Sequence, residues 1–139
     1  MNPDMFPLGT LYLYLSERCN LRCPHCWVSP APPGSGAEKR VDYAVLTEAI
    51  VRAKDLGLTA VKLTGGEPFI RGDIVDLLPF LQREDLIVDI ETNGTMIDAD
   101  MARIIAECGI RQVSISLDAA RADLHDRLRG VPGCHGRAV

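Results

Sequence analysis

Three cysteines that lie close together in the sequence have the most evident chemical potential in this chain. Cys19, Cys23 and Cys26 follow the spacing C-x3-C-x2-C, directly after a short alternating apolar run. Three neighbouring thiolates form a soft, anionic pocket, which suits zinc or an iron–sulfur cluster. A cubane cluster held by protein alone takes four cysteines, so three would leave one iron open to a small molecule.

Zinc and a closed cluster are the alternatives that these residues leave open. A zinc site would need His25 or a distant cysteine as its fourth ligand, but His25 is adjacent to Cys26, which strains joint chelation of one ion. Cys108 or Cys134 could instead complete a closed, electron-transfer cluster. Cys108 is expected at the end of a helix, far from the triplet, whereas Cys134 is expected nearer to it.

Composition and charge narrow the class of protein. The chain has 139 residues, of which 47% are hydrophobic and 24% charged, enough for one domain with a core. A net charge of −4 with scattered basic residues argues against a nucleic-acid surface. The sequence has no long apolar run, so we expect no membrane span. Its first residues lack the basic start and apolar core that are expected of a signal peptide. The chain has five cysteines, three of them clustered, which favours ligation of a metal or cluster over disulfide bonds. We therefore expect a cytoplasmic protein.

Hydrophobic periodicity predicts strands that alternate with helices. The predicted strands are residues 10–16, 60–64, 86–91 and 112–117, and the predicted helices extend to about residues 56, 82 and 107. Asp42, Asp73 and Asp98 are the expected helix caps, and Pro79 predicts a kink or an early end of the second helix. Residues 17–30 form the expected cysteine loop, and residues 31–37 a turn-rich stretch. A short helical piece is expected at about residues 123–128, and a further helix from residue 134.

The order of these elements predicts the fold class and the place of the site. Strand and helix alternate about every 25–30 residues, the size of a βα unit, which predicts an α/β fold with parallel strands. In such folds the chemistry lies at the carboxyl ends of the strands. The cysteine triplet, Gly65–Pro68, Thr92–Gly94 and Ser116–Asp118 each follow one of the four strands. We therefore expect them to share one site.

Five segments together resemble the radical S-adenosylmethionine (radical SAM) enzymes over nearly the whole chain. They are SERCNLRCPHCW at 16–27, LTGGEP at 63–68, ETNG at 91–94, SISLDA at 114–119 and HDRLRGVPG at 125–133. The resemblance implies a 4Fe–4S cluster on Cys19, Cys23 and Cys26, whose open iron chelates S-adenosylmethionine. It further implies reductive cleavage of that cofactor to a 5′-deoxyadenosyl radical, which abstracts a substrate hydrogen. An electron donor such as flavodoxin or ferredoxin is then required.

The resemblance also implies which other residues bind S-adenosylmethionine. Gly65, Gly66 and Glu67 would meet its amino group, since glycines allow a ligand close to the backbone and a carboxylate can hold an ammonium group. The plainer interpretation of this segment is a strand-to-loop turn with a surface glutamate. Thr92 and Asn93 would contact the cofactor or substrate, although Asn-Gly is also a common turn dipeptide.

The last two segments supply the remaining candidates. Ser116 and Asp118 would make ribose or carboxylate contacts, or else they simply end a strand. Either Arg127 or Arg129 would pair with the cofactor carboxylate, and we name Arg129 as the candidate. His125 is expected to be structural.

The resemblance implies a partial barrel of (β/α) units. The catalytic domain of the family has six units, so we expect residues 1–139 to be its N-terminal portion, truncated after about four units. HDRLRGVPG after SLDA favours the branch that modifies peptides or builds peptide-derived cofactors, often with a SPASM-type C-terminal extension. A non-catalytic metal-binding module and an inactive fragment of such an enzyme are the alternative functions.

Overall fold

Four parallel strands form the sheet of this protein. The computed structural model describes residues 7–29 and 40–139, so the predicted turn-rich stretch at 31–37 lies outside the described residues. The strands are β1 (Gly9–Tyr14), β2 (Leu58–Thr64), β3 (Ile87–Thr92) and β4 (Gln112–Ile115), and they pair in the order β1-β2-β3-β4. All three pairings are parallel, which confirms the predicted α/β class. Within the described residues the sheet stays open and does not close into a barrel.

Helices connect the strands, much as the periodicity predicts. The helices are α1 (Tyr43–Lys54), α2 (Ile74–Arg83), α3 (Ala99–Glu107), α4 (Ala122–Arg129) and α5 (His135–Ala138). Strand β4 ends at Ile115, two residues before the predicted end. The backbone N–H of Ser116 still donates to the carbonyl of Thr92 at 2.9 Å, but Thr92 is the last residue of β3. The ladder therefore ends where its partner strand ends.

Two of the three predicted helix caps form as expected. Asp42 accepts hydrogen bonds from the backbone N–H groups of the first turn of α1, and Asp98 accepts one from the first turn of α3, as N-cap carboxylates do. Asp73 precedes α2 but makes no such bond, because its carboxylate is occupied by Arg71. Of the two effects expected at Pro79, an early end does not occur: α2 continues to Arg83, close to its predicted end at about residue 82, and its three leucines are fully buried.

The core lies on one face of the sheet. Side chains from alternate positions of the strands pack there against α1 and α2, including Val61, Leu63, Val88, Ile90, Leu46, Ile50, Leu77, Leu78 and Leu81. The opposite face is polar: the ammonium of Lys62 lies 5.5 Å from the ring centroid of Tyr12 and 2.6 Å from a carboxylate oxygen of Glu91. No helix of the described residues is long and apolar enough to cross a membrane.

A buried arginine joins three elements at the edge of the sheet where the strands end. Arg71 is only 3% exposed. Its Nη1 donates to the carbonyls of Leu15, just after β1, and Val41, just before α1, at 2.9 and 3.0 Å. Its Nε and Nη2 each donate to the carboxylate of Asp73 at 2.7 Å. A guanidinium buried in this way requires its carboxylate partner.

Replacing Asp73 by asparagine should destabilise the protein by about 2 kcal/mol at neutral pH, because it leaves the buried guanidinium without a countercharge. Arg71 holds the pKa of the Asp73 carboxyl below its ordinary value. The carboxylate therefore stabilises the fold above its unfolded pKa, and this contribution is lost as the pH falls through the lowered folded value. Urea unfolding at pH 7 and at pH 3 measures this. Asp76→Asn, at an exposed position of α2, is the control, and equal stability of the two variants at pH 7 would contradict the role of Asp73.

Candidate functional site

Backbone hydrogen bonds hold the cysteine loop from two sides. The N–H groups of Gly66 and Glu67, after β2, donate to the carbonyls of Ser16 and Arg18 at 2.8 and 2.7 Å. On the other side, the N–H of Arg22 donates to the carbonyl of Arg129, at the end of α4, at 2.9 Å. The loop that carries Cys19, Cys23 and Cys26 is thus positioned by segments that are distant in sequence. All three cysteines are partly exposed, and none of them forms a disulfide bond.

Polar groups surround the sulfur of Cys19. The backbone N–H of Leu21 donates to this Sγ at 3.4 Å, and the Asn93 side-chain amide lies 3.7 Å from it. The same amide donates to the Asn20 side chain at 2.9 Å. Burial raises the pKa of the Cys19 thiol, and the charge of Glu67 adds to the rise. The TNG segment (Thr92–Gly94), at the end of β3, therefore contacts the cysteine loop directly, as the prediction of one shared site requires.

The sulfur of Cys23 faces the end of α4. Arg129 Nη1 lies 3.7 Å from Cys23 Sγ, and Arg129 Nη2 donates to Asp118 Oδ1 at 2.7 Å. The third guanidinium nitrogen, Nε, is buried and has no hydrogen-bond partner among the described residues. A donor in this position suits an anionic group. Arg127, the other candidate, lies at an exposed position of the same helix.

The two adjacent glycines allow two backbone segments to pack closely. A Cβ added to Gly66 would lie 1.9 Å from the carbonyl oxygen of Arg18, a distance that no side chain can occupy. Gly65 has a φ of +115°, and its added Cβ would lie 2.8 Å from the carbonyl oxygen of Ser16. The resemblance to the radical SAM enzymes implies that these glycines allow close approach of a ligand. In the structure, the backbone that approaches them belongs to the protein's own cysteine loop.

Glu67 connects the GGE segment (Gly65–Glu67) to the TNG segment (Thr92–Gly94). Its side chain is buried at 1% exposure. One carboxylate oxygen accepts from the Thr92 hydroxyl at 2.7 Å and from the Phe69 N–H at 3.1 Å, and the other accepts from the Asn93 N–H at 2.8 Å. Burial raises the pKa of this carboxyl, while these hydrogen bonds lower it. The surface-glutamate interpretation is therefore wrong.

Replacing Glu67 by glutamine should destabilise the protein by about 2 kcal/mol, since an amide NH₂ would face a hydrogen-bond donor in a buried site. Urea unfolding of the metal-free protein measures this directly. Glu107→Gln, at an exposed position at the end of α3, is the matched control and should change stability by less than about 0.5 kcal/mol. If the two variants were equally stable, Glu67 would not join the two segments as described.

Ser116, Asp118 and His125 also lie near the cysteine loop or at the same edge of the sheet. Asp118 lies beside the loop, since its carboxylate binds Arg129 and its Oδ2 lies 3.9 Å from His25 Nε2. The N–H of Ser116 pairs with the carbonyl of Thr92, so Ser116 also lies at this edge of the sheet. His125 is buried, and its Nδ1 accepts from the N–H of Asp118 at 3.2 Å. Their roles toward a cofactor stay a prediction.

The other two cysteines are engaged elsewhere. Cys108 belongs to the apolar core, and Cys134 is fully buried with its thiol 3.3 Å from an Asp126 carboxylate oxygen. Burial raises the pKa of both thiols. Because Cys108 is enclosed by core side chains and the Cys134 thiol donates to Asp126, these contacts favour an open cluster on the triplet over a closed one.

Two features of the site were missed by sequence reasoning. Asn20 bridges the cysteine loop to the TNG segment, since it donates to the Thr95 hydroxyl at 2.8 Å and accepts from Asn93. Gly130 ends α4 at a φ of +71°, and an added Cβ would lie 2.4 Å from the carbonyl oxygen of Arg22. The available sequence signals were the position of Asn20 directly after a proposed cluster ligand and the position of Gly130 directly after a helix.

The donor set fits an iron–sulfur cluster. Among residues 7–29 and 40–139, no three His, Cys, Asp or Glu side chains are arranged to hold a single metal ion. The thiolates of a cubane cluster each bind a separate iron, so they stand around the cluster instead of meeting at one point. Amide and guanidinium donors beside Cys19 and Cys23 provide the hydrogen bonds to sulfur that such clusters receive.

Comparison with known protein families identifies the chain. The family profile described as the Radical SAM superfamily matches residues 13–135. The chain belongs to the radical SAM superfamily. This confirms the resemblance inferred from the five segments, and the 4Fe–4S cluster and S-adenosylmethionine are confirmed as the cofactors of the family.

The curated radical SAM relatives are much longer than this chain. A GTP 3′,8-cyclase of Xanthomonas axonopodis pv. citri is 36% identical in an alignment 133 positions long that covers 91% of this chain and 39% of the cyclase. An AdoMet-dependent heme synthase of Methanosarcina barkeri is 30% identical over 90% of this chain and 35% of its own length. The chain thus spans little more than a third of the length of these relatives.

A solved structure with bound S-adenosylmethionine has the same fold. Streptococcus suis SuiB, in a crystal structure with bound S-adenosylmethionine, is 27% identical, with a TM-score of 0.73 over 91% of this chain and 29% of SuiB. SuiB has also been solved bound to its precursor peptide SuiA. The four-stranded sheet therefore corresponds to part of a radical SAM fold.

Proposed function

We propose that this protein is the cluster-bearing part of a radical SAM enzyme, with Cys19, Cys23 and Cys26 as the three cluster ligands. The observation that carries the proposal is that the segment after β2, the segment at the end of β3 and the end of α4 all contact the cysteine loop. Asn93 reaches Cys19, Gly66 and Glu67 pair with the loop backbone, and Arg129 reaches Cys23. When bound, the cluster and S-adenosylmethionine supply reductive cleavage to a 5′-deoxyadenosyl radical for hydrogen abstraction.

The residues of this chain hold and orient these cofactors. Gly65 and Gly66 bring their backbone against the cysteine loop, and with Glu67 they would hold the amino group of S-adenosylmethionine. Glu67 fixes the TNG segment at the same edge, which holds Thr92 and Asn93 in place. Arg129, rather than Arg127, is the candidate for the cofactor carboxylate, because its Nε is buried and unpartnered among the described residues. Ser116 and Asp118 would border the ribose.

A peptide is the substrate class that we propose first. The likeness to SuiB, which has been solved with its precursor peptide, supports it, as does the HDRLRGVPG segment. Construction of a small cofactor is the second candidate, since the curated relatives include a GTP 3′,8-cyclase and heme synthases. A low-potential cluster needs a donor such as flavodoxin or ferredoxin, and a reducing compartment such as the cytoplasm suits it.

Product analysis tests this function. The protein is reconstituted with iron and sulfide without oxygen, then incubated with dithionite and S-adenosylmethionine, and 5′-deoxyadenosine and methionine are measured by chromatography. We expect both products in equal amounts, and none in the Cys19→Ala, Cys23→Ala, Cys26→Ala triple variant. A protein that binds zinc but no iron would be a metal-binding module, and a loaded cluster that leaves S-adenosylmethionine intact would be an inactive fragment. Either result would overturn the proposal.

A further inference from the structure

We propose that Arg129 sets the reduction potential of the cluster through the sulfur of Cys23. The inference rests on the proposed function, because it requires a cluster on Cys19, Cys23 and Cys26. It differs from a role in cofactor binding, because it concerns the protein in the absence of S-adenosylmethionine. Arg129 would act by a charged hydrogen bond to a cluster ligand, and Asp118 would be the residue that positions it.

The contact between Arg129 and Cys23 is built from both the side chain and the backbone. Nη1 of the guanidinium donates to Cys23 Sγ at 3.7 Å, and the carbonyl oxygen of the same residue accepts from the Cys23 thiol at 3.9 Å, a bond that a cluster-bound thiolate would lose. That carbonyl also accepts from the N–H of Arg22 at 2.9 Å. The end of α4 is thus fixed to the residue that precedes the ligand, so the guanidinium remains within reach of the sulfur.

Two further contacts hold this geometry. Asp118 Oδ1 accepts from Arg129 Nη2 at 2.7 Å, and the Arg129 side chain is 13% exposed. Gly130, the next residue, packs on the carbonyl of Arg22 so closely that a Cβ would lie 2.4 Å from that oxygen. A long, charged side chain that is held by a carboxylate and by a fixed backbone loses little further entropy when it donates to a sulfur.

The physical effect follows from the charge that reduction adds. A cluster gains one negative charge on reduction, and part of that charge resides on the sulfurs of its ligands. A guanidinium donor to one of these sulfurs stabilises the reduced form more than the oxidised form, which raises the reduction potential. Because the site is only partly exposed to water, the effect is screened less than at a surface.

Arg127 is a matched control on the same helix. It carries the same charge two positions away, and residues two apart on a helix do not face the same side. Arg127 is exposed, whereas Arg129 is largely buried. Replacing each by glutamine removes one unit of charge from α4, but only Arg129→Gln removes the donor to Cys23 Sγ.

Redox titration of the reconstituted protein, followed by electron paramagnetic resonance (EPR) without S-adenosylmethionine, tests the inference. At a fixed ambient potential, Arg129→Gln should shift the ratio of oxidised to reduced cluster about tenfold toward the oxidised form, which is ~59 mV for a one-electron couple. Arg127→Gln should match the wild type, and Arg129→Lys, which restores the charge, should recover part of the shift. Iron and sulfide content is measured for each variant.

Each outcome decides one question. A potential of Arg129→Gln equal to that of Arg127→Gln would overturn the inference and leave the proposed function intact. Failure of the wild type itself to bind iron and sulfide would overturn the proposed function instead. If Arg129→Gln and a second variant, Arg129→Met, both failed to assemble a cluster that Arg127→Gln assembles, Arg129 would serve assembly and not tuning, which would also overturn the inference.

Discussion

Replacing Cys19, Cys23 and Cys26 together by alanine should reduce bound iron and sulfide to background. The three thiolates are the cluster ligands that we propose, and a cubane cannot be retained by the amide and guanidinium donors that surround them, because these groups bind sulfur and not iron. The remaining cysteines offer no substitute, since Cys108 is in the core and Cys134 contacts Asp126. Chemical assay of iron and acid-labile sulfide after anaerobic reconstitution measures the loss.

The control for this experiment is Cys108→Ala, which removes a thiol without touching the loop. It should retain the full iron and sulfide content of the wild type. Circular dichroism of both proteins shows whether the fold survives. Full iron content in a folded triple variant would rule out the assignment of the three ligands.

Replacing Gly66 by alanine should have the second largest effect, on stability and on cluster retention together. The added Cβ would lie 1.9 Å from the Arg18 carbonyl oxygen, so the backbone of the GGE segment or of the cysteine loop must move. Overpacking of this kind costs about 1–3 kcal/mol, and more is expected where two backbones collide. The shift would displace Cys19, the neighbour of Arg18, and weaken its part in holding the cluster.

Gly72→Ala provides a matched control for Gly66→Ala. An added Cβ at Gly72 meets no atom within 4 Å, so this variant should equal the wild type in urea unfolding and in iron content. We expect Gly66→Ala to unfold at lower urea concentration and to lose cluster. Indistinguishable behaviour of the two variants would mean that the close packing at Gly66 does not matter for the site.

Local sequence patterns predicted the elements better than the contacts between them. The alternation of strands and helices, and the caps at Asp42 and Asp98, arise from neighbouring residues, so periodicity and capping rules find them. The prediction that the Asp73 side chain caps α2 was wrong, because Arg71 binds its carboxylate. The same arginine joins the end of β1 to the start of α1. Such a contact depends on the tertiary fold and leaves no trace in a local pattern.

The same distinction explains what was predicted of the site. Because parallel strands end at one edge of a sheet, the meeting of the cysteine loop with the TNG segment and Asp118 could be predicted. The buried Glu67, with its partners Thr92 and Asn93, could not, since burial depends on how two loops pack. The roles of these residues toward S-adenosylmethionine stay a prediction that the following measurement addresses.

EPR of the reduced, reconstituted protein, with and without S-adenosylmethionine, tests most directly whether this chain holds an open cluster. We expect a reduced 4Fe–4S signal whose shape and g values change when S-adenosylmethionine is added, because the cofactor binds the iron that lacks a cysteine. The triple cysteine variant should give no signal under either condition. A wild-type signal that S-adenosylmethionine leaves unchanged would contradict an open, cofactor-binding iron in this protein.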